Sequence, residues 1–359
     1  MPKRVKVIIV TCTLVTFIGL LLFVLRTGAT FTPQPCSSLD FSQIIGENVC
    51  PNVRVVDIAM LGAHNAFSDR IHPGSAVCPQ DTHVLTSPAV GAIAPGVLSR
   101  FLQCQKSDAT GLLTRGVRYF DVRLTYANGN WYTHHRLISA SLEGYLVQII
   151  DFLANNPGEI IVFDIQHAHL GAASFDDLWG FIANVTSNGY SLFDFVTFDP
   201  YNSPLGELTK GQATAEGAAV IILAKTPMFE GGFHYNYYRS IRSTWHDQIR
   251  TNELVAGIQR EYAYLNQRPG VARDMFRVNQ GQTTPNFSGF SNVVYTFFTW
   301  SILSHNGNHN VALLNHENFL DWLSVMPIFM VDFSDSPVGN FNVYVVDAIN
   351  EFNRSLSGW

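Results

Sequence analysis

The sequence predicts an α/β protein folded as a TIM-type (β/α) barrel, distorted in places and preceded by an N-terminal apolar membrane segment. Three observations point there. Strand-like apolar runs alternate with helix-like periodic stretches, the pattern of a parallel sheet covered by helices. After residue 50, no composition shift, low-complexity tract or internal repeat divides the chain of 359 residues, so one large unit fits it. Histidines, carboxylates and an arginine recur at the C-terminal ends of the apolar runs, where barrels build their sites. An open doubly wound sheet is the alternative, but no G-x-G-x-x-G or P-loop follows any strand candidate, which argues against a nucleotide.

The N-terminus comes first. Lys3, Arg4 and Lys6 precede an unbroken apolar stretch from Val7 to Leu25, and Arg26 follows. At about 1.5 Å rise per residue such a helix has roughly the thickness of a hydrocarbon core. The basic residues before it put the N-terminus in the cytosol and the remainder outside or in a lumen. Residues 1–26 therefore read as a signal-anchor of a single-pass protein. The alternative is a cleaved signal of a secreted one, for which Gly28 and Ala29 supply small residues. Residues 27–50, rich in Thr, Pro and Ser, read as an extracytoplasmic linker, and 51–359 as the barrel. Cys12 lies in the apolar stretch. Cys36, Cys50, Cys78 and Cys104 are an even set that suggests two disulfides of open connectivity. Asn184, Asn286 and Asn353 begin sequons for glycosylation.

Strand candidates follow at Val53–Leu61, Val117–Leu124, Ile160–Ile165, Ala219–Leu223, Val293–Thr299 and Pro327–Asp332. Between the second and third, Leu142, Tyr145, Leu146, Ile149, Ile150 and Leu153 recur at helical spacing. That helix should stop at Asn155-Asn156-Pro157-Gly158. Val343, Val346, Ile349 and Phe352 predict a closing helix. The formal net charge of -6, without charge runs, argues against nucleic acid as a partner.

The chemistry sits at the strand ends. "MLGAHNAFSDR" places His64 and Asn65 just past an apolar run. In "RGVRYFDVRL", period-two reading sends Phe120, Val122 and Leu124 to one face and Tyr119, Asp121 and Arg123 to the other. Charges facing the inside of a sheet are costly unless paired or used. "WYTHHRL" ends in His134 and His135, one facing inward and one outward. "EIIVFDIQHAH" carries Asp164, Gln166, His167 and His169, and "PIFMVDF" carries Asp332. Two histidines, an arginine and supporting carboxylates suit phosphodiester cleavage. One imidazole deprotonates a hydroxyl, another protonates the leaving oxygen, and the guanidinium holds the phosphate.

"LGAHNAFSDR", "GVRYFDVRL", "THHRL" and "NNPGEIIVFDIQ", in this order, resemble the X domain of phosphatidylinositol-specific phospholipase C and its relatives. The resemblance is strong over about 53–166 and weaker through "VIILAK" and "FMVDF". It implies a distorted TIM barrel and a phospholipid or inositol phosphodiester as substrate. His64 matches the general base toward the inositol 2-hydroxyl, supported by Asp332. His135 matches the general acid, Arg123 the phosphate-binding arginine of the metal-independent bacterial enzymes, and Asp121 the acid two residues before it. Lys225 falls at a basic inositol-contacting position, and Trp245 near where the family stacks an aromatic ring on inositol. The implied reaction releases diacylglycerol and a cyclic inositol phosphate.

Some residues depart from the family pattern. Asn65 stands where the bacterial enzymes carry an aspartate, and matches a metal ligand of the calcium-dependent eukaryotic enzymes. Arg123 and Gln166 stand where those enzymes have further carboxylates, so the expectation is a site without a metal cofactor, calcium or magnesium at Asn65 remaining open. Arg136 replaces a glycine after the second histidine. Two rival readings remain. One is a metal-dependent phosphodiesterase; "HNGNH" at 305–309 has the spacing of a ligand pair, but Asn-Gly-Asn signals a turn. The other is a membrane-anchored binding module that keeps the barrel without turnover.

Overall fold

The structure is a computed structural model that describes residues 40–81, 95–284 and 302–356. Among the described residues twelve strands follow in chain order. They are β1 (Met60–Ala63), β2 (Val117–Ala127), β3 (Asn130–His135), β4 (Leu137–Ser141), β5 (Ile160–His169), β6 (Thr186–Ser187), β7 (Tyr190–Ser191), β8 (Ala219–Ala224), β9 (Tyr235–Asn236), β10 (Ile241–Ser243), β11 (Phe276–Gln280) and β12 (Ile328–Val331). The main sheet runs β10-β11-β12-β1-β2-β5-β8-β9, and every neighbour along that path is parallel. Read as a circle, this is chain order, the winding of a TIM-type barrel. Among the described residues no ladder joins β9 to β10, so the curled sheet stays open along one seam. β3 and β4 extend β2 as an antiparallel flap, and β6 and β7 form a separate small hairpin.

The parallel strands are buried on both faces, which explains their continuous apolar runs. Gly62 shows how tightly β1 is wedged. A Cβ there would meet Met330 Cβ and Tyr119 Cδ1 at 3.0 Å, from the strands on either side. The expected amphipathic helix spans Leu142–Asn155 and ends at the Asn-Pro-Gly cluster. The closing helix spans Phe341–Leu356 and buries Val345, Val346 and Ile349.

Several expectations need correction. Only the end of Val53–Leu61 is extended; Val55–Asp57 forms a short 3-10 turn before β1. β10 and β11 carry no strong strand signature, since Arg242, Arg277, Asn279 and Gln280 interrupt them. The run 293–299 lies outside the described residues, as do residues 1–39, including the apolar stretch 7–25. Among the described residues no helix is long and apolar enough to cross a membrane. "HNGNH" is not a turn but part of the helix Ile302–Leu314; His309 is buried against Thr251 Oγ1 at 2.8 Å, so tertiary packing overrides the local signal.

The stretch 41–49 is not all linker. Ile44, Ile45 and Val49 are buried in the core, and the buried Arg118 donates to the carbonyls of Phe41 and Ser42. Arg118 also holds Glu159 at 2.6 Å with both side chains fully buried, the kind of pair that tolerates no loss of one partner. Two disulfides among the four cysteines are not formed, because Cys78 and Cys104 are buried free thiols. Asn353 cannot carry a glycan in this fold: it is buried, and its amide exchanges hydrogen bonds with both backbone groups of Ala59. Asn184 is exposed, and Asn286 lies outside the described residues.

Candidate active site

β1 ends at Ala63, and the His64 N–H still pairs with the Val331 carbonyl at 3.0 Å. The chain then turns sharply. Asn65 (φ 43°) and Phe67 (φ 64°) adopt left-handed backbone, as do Arg136 (φ 60°) after His135 and Phe333 (φ 50°) after Asp332. Left-handed non-glycine residues thus follow three proposed catalytic groups, and such strain gathers at sites that position chemistry.

His64 and Asp332 meet because β1 and β12 are neighbours in register, Ala63 opposite Val331. His64 Nδ1 lies 2.7 Å from Asp332 Oδ1. A carboxylate oxygen only accepts, so Nδ1 carries the proton and Nε2 is left as the basic atom, with Asn65 Nδ2 3.2 Å away. Arg123 Nη2 lies 3.5 Å from that Nε2 and 4.0 Å from Asp121 Oδ2. Asp121 is buried and also takes the Asn65 N–H at 3.1 Å, which holds the turn after His64. A register shift between Val122 and Arg123 sets Arg123 opposite His167 and leaves Gln166 as the extra residue on β5. A bulge of this kind re-aims side chains beside a site.

His135 stands at the end of β3, its ring centroid 6.4 Å from that of His64. Its Nδ1 lies 2.9 Å from the Leu102 carbonyl and so is the donor, leaving Nε2 for a substrate. Burial, then Arg123 and His64, push its pKa well below the ordinary histidine range. His134 faces the other side of the flap and is buried rather than outward to solvent. Burial and then His169 hold its pKa down at about 3. Lys225 directly follows β8, which pairs in parallel with β5, so it stands at the same C-terminal end of the sheet; its pKa is lowered by burial, against the opposing pull of Asp164 and Asp121. Its Nζ sits 4.6 Å from the Tyr237 ring centroid. Trp245 is 59% exposed on a loop, where its Nε1 donates to Thr284 Oγ1 at 2.9 Å. His64, Asp121, Arg123, His135, Lys225 and Asp332 come together; Trp245 makes no described contact with them.

Sequence reading missed several contributors. Gln105 is fully buried and staples the ends of β1 and β12, its Nε2 donating to the carbonyls of His64 and Val331 while its Oε1 accepts from Ser334. Asn310 donates to the Asp332 carbonyl at 2.7 Å. Cys104 Sγ lies 3.3 Å from Asn65 Nδ2 and 3.5 Å from His135 Nδ1. Tyr119 Oη donates to Asp164 at 2.5 Å inside the barrel, and Tyr237 is the aromatic ring beside Lys225. Of these only Tyr119 had a local signal, its place on the same strand face as Asp121 and Arg123.

Two donor sets beside His64 bear on a metal. Asn65 Oδ1 and Asp121 Oδ1 are buried without hydrogen-bond partners, as ligands for a hard cation would be. The Arg123 guanidinium, however, builds a full positive charge into the same space, and calcium needs a cage of 6–8 oxygens. The residues present do not fit it. His64, Cys104 and Asp332 are close enough to share an ion, but burial and Asp332 push the Cys104 thiol well up, which works against the thiolate a metal requires.

The comparisons with known proteins concern the sequence and the fold. No family model matches the chain. The zebrafish "PI-PLC X domain-containing protein 3" is 28% identical over 121 residues, 32% of this chain and 38% of the relative. The human protein of that name is 28% identical over 122 residues, with the same coverage. Over this stretch the chain is similar to the PI-PLC X domain-containing proteins. The match thus spans little more than a third of those relatives. A trypanosome "Variant-surface-glycoprotein phospholipase C" from Trypanosoma brucei brucei is 27% identical over 241 residues, 64% of this chain and 63% of that one. In fold the chain resembles phosphatidylinositol-specific phospholipase C of Listeria monocytogenes, with a TM-score of 0.54 and 16% identity over 86% of this chain and 98% of that one. The Staphylococcus aureus enzyme gives a TM-score of 0.59 at 13% identity, over 87% and 98%.

Proposed function

We propose that this protein is a phosphodiesterase of the phospholipase C type that cleaves an inositol phospholipid or a related glycerophosphodiester without a metal. The observation that carries the reading is the convergence of a carboxylate-backed His64, Arg123 and His135 on one barrel mouth. His64 Nε2 takes the proton of a hydroxyl on the head group, and that oxygen attacks phosphorus. The phosphorus–oxygen bond to the glycerol side breaks, and His135 delivers a proton to the departing oxygen. Arg123 binds the phosphoryl oxygens and stabilises their charge as the geometry at phosphorus changes. An anionic phosphodiester against Arg123 offsets the positive charge that disfavours protonated His135. Lys225 and Tyr237 are placed to meet the head group, the lysine as a point charge and the ring as a flat apolar surface. The apolar residues 7–25 would keep this activity at a membrane, with the barrel extracellular or lumenal.

The test is to incubate the protein with phosphatidylinositol and excess chelator and follow phosphorus NMR. A cyclic inositol phosphate signal without metal is the expected result. Product only after adding calcium or magnesium would make Asn65 and Asp121 ligands and overturn the metal-free mechanism. No product under either condition would favour a barrel that binds without turnover.

A further inference from the structure

We propose that Asp81, His134 and His169 form a binding site for a zinc-like transition-metal ion on the flank of the barrel mouth, separate from the His64–His135 pair. The three residues come from distant parts of the chain. Asp81 ends the strap 76–81, His134 lies on β3, and His169 ends β5. One donor atom from each lies within 4.8 Å of the others. His134 Nδ1 is 3.8 Å from Asp81 Oδ2, and the His134 and His169 ring centroids are 5.0 Å apart. Two imidazoles and a carboxylate are the donor types zinc takes in open sites, and a tetrahedral ion spaces its donors at about 3.4 Å. Asp81 and His169 are both part-exposed, so side-chain rotation can close the remaining gap.

A second observation points to a ligand. His134 is only 3% exposed, yet neither of its ring nitrogens has a hydrogen-bond partner among the described residues. Burying unpaired polar atoms costs about 1–3 kcal/mol each, and folded proteins rarely leave them so. A metal ion on one nitrogen would satisfy it.

The surroundings hold the site in place. The Cys78 N–H donates to the Arg136 carbonyl at 2.7 Å, and Gln80 bonds both Thr125 Oγ1 and the Tyr126 carbonyl, pinning the strap to β2 and the flap. Arg136 Nη1 donates to Asp81 Oδ1 at 3.3 Å, which orients the carboxylate with Oδ2 toward His134, the supporting contact typical behind a ligand. His167, with its ring 6.4 Å from that of His169, adds a further imidazole at the rim.

The experiment titrates tag-free, chelator-dialysed protein with zinc chloride by calorimetry, and with cobalt chloride by visible absorption. Wild type should bind one equivalent, with cobalt bands of a tetrahedral nitrogen–oxygen site. Asp81→Asn and His169→Gln alter part-exposed side chains, so folding is checked by circular dichroism, and each should weaken binding at least about tenfold, since changes behind a ligand alone cost 10–100-fold. Cys104→Ser should bind as wild type and separates this site from the His64–Cys104–Asp332 trio. Absence of stoichiometric binding, binding unchanged in both folded variants, or loss on Cys104→Ser would each overturn the assignment.

Discussion

His64 Nδ1 and Asp332 Oδ1 lie 2.7 Å apart across 268 residues of chain. The contact fixes the tautomer that leaves Nε2 basic, and it exists because β1 and β12 are adjacent in the ring of strands. His64→Ala and His135→Ala should each lower turnover of phosphatidylinositol by about 10²–10⁴-fold while the melting temperature stays near wild type. Asp332→Asn keeps the shape but allows the wrong tautomer, and should lose turnover in the same range. Near-native turnover in any of the three would remove that residue from its role.

Arg123 is the one cation directed at both His64 and Asp121 among the described contacts of the mouth. Arg123→Lys keeps the charge but not the two-pronged donor. Steady-state kinetics should show kcat reduced by about 10²–10³-fold, the loss typical of removing one transition-state donor. A change confined to KM would mean that Arg123 binds ground state and transition state equally.

Asp164 faces Asp121 in register across β2 and β5, deep in the barrel. Burial, then Asp121, push its pKa well above the ordinary carboxyl value of 3.8, against the Tyr119 hydrogen bond. Above pH 3.8 the unfolded chain releases this proton while the folded one keeps it, so this group's contribution to stability falls as pH rises toward its folded pKa. Asp164→Asn should flatten that fall. Urea denaturation should show the variant gaining on wild type between pH 5 and about pH 8, and an equal gap at both pH values would refute the linkage.

Arg136 holds φ 60°, where a Cβ is unfavourable, in the position after His135. Its ion pair with Asp81 is lost equally in Arg136→Gly and Arg136→Ala. The glycine variant should therefore be more stable than the alanine variant by about 1 kcal/mol in chemical denaturation. Equal stabilities would show that the turn relaxes at no cost.

The contrast between legible and hidden features follows from range. Period-two alternation and strand-end position are local, so they marked Asp121, Arg123, His135 and Asp332, and the breaker cluster after Leu153 marked a helix end. β10 and β11 escaped because buried polar residues such as Arg277 are satisfied by carbonyls and Asp57 from elsewhere in the fold. The segment 305–309 became helix against its local turn signal because His309 and Asn310 find partners on Thr251 and Asp332.

By itself the sequence determined the parallel α/β winding, the extended elements that carry His64, Arg123 and His135, and the resemblance to the X-domain proteins. Tertiary structure decided the rest: the open seam between β9 and β10, the Gln105 staple, the free thiol of Cys104 beside the histidines, and the convergence of Asp81, His134 and His169. The physical reason is that backbone periodicity is written by near neighbours along the chain. Burial, hydrogen-bond satisfaction and charge compensation depend on residues that only folding brings within a few ångströms.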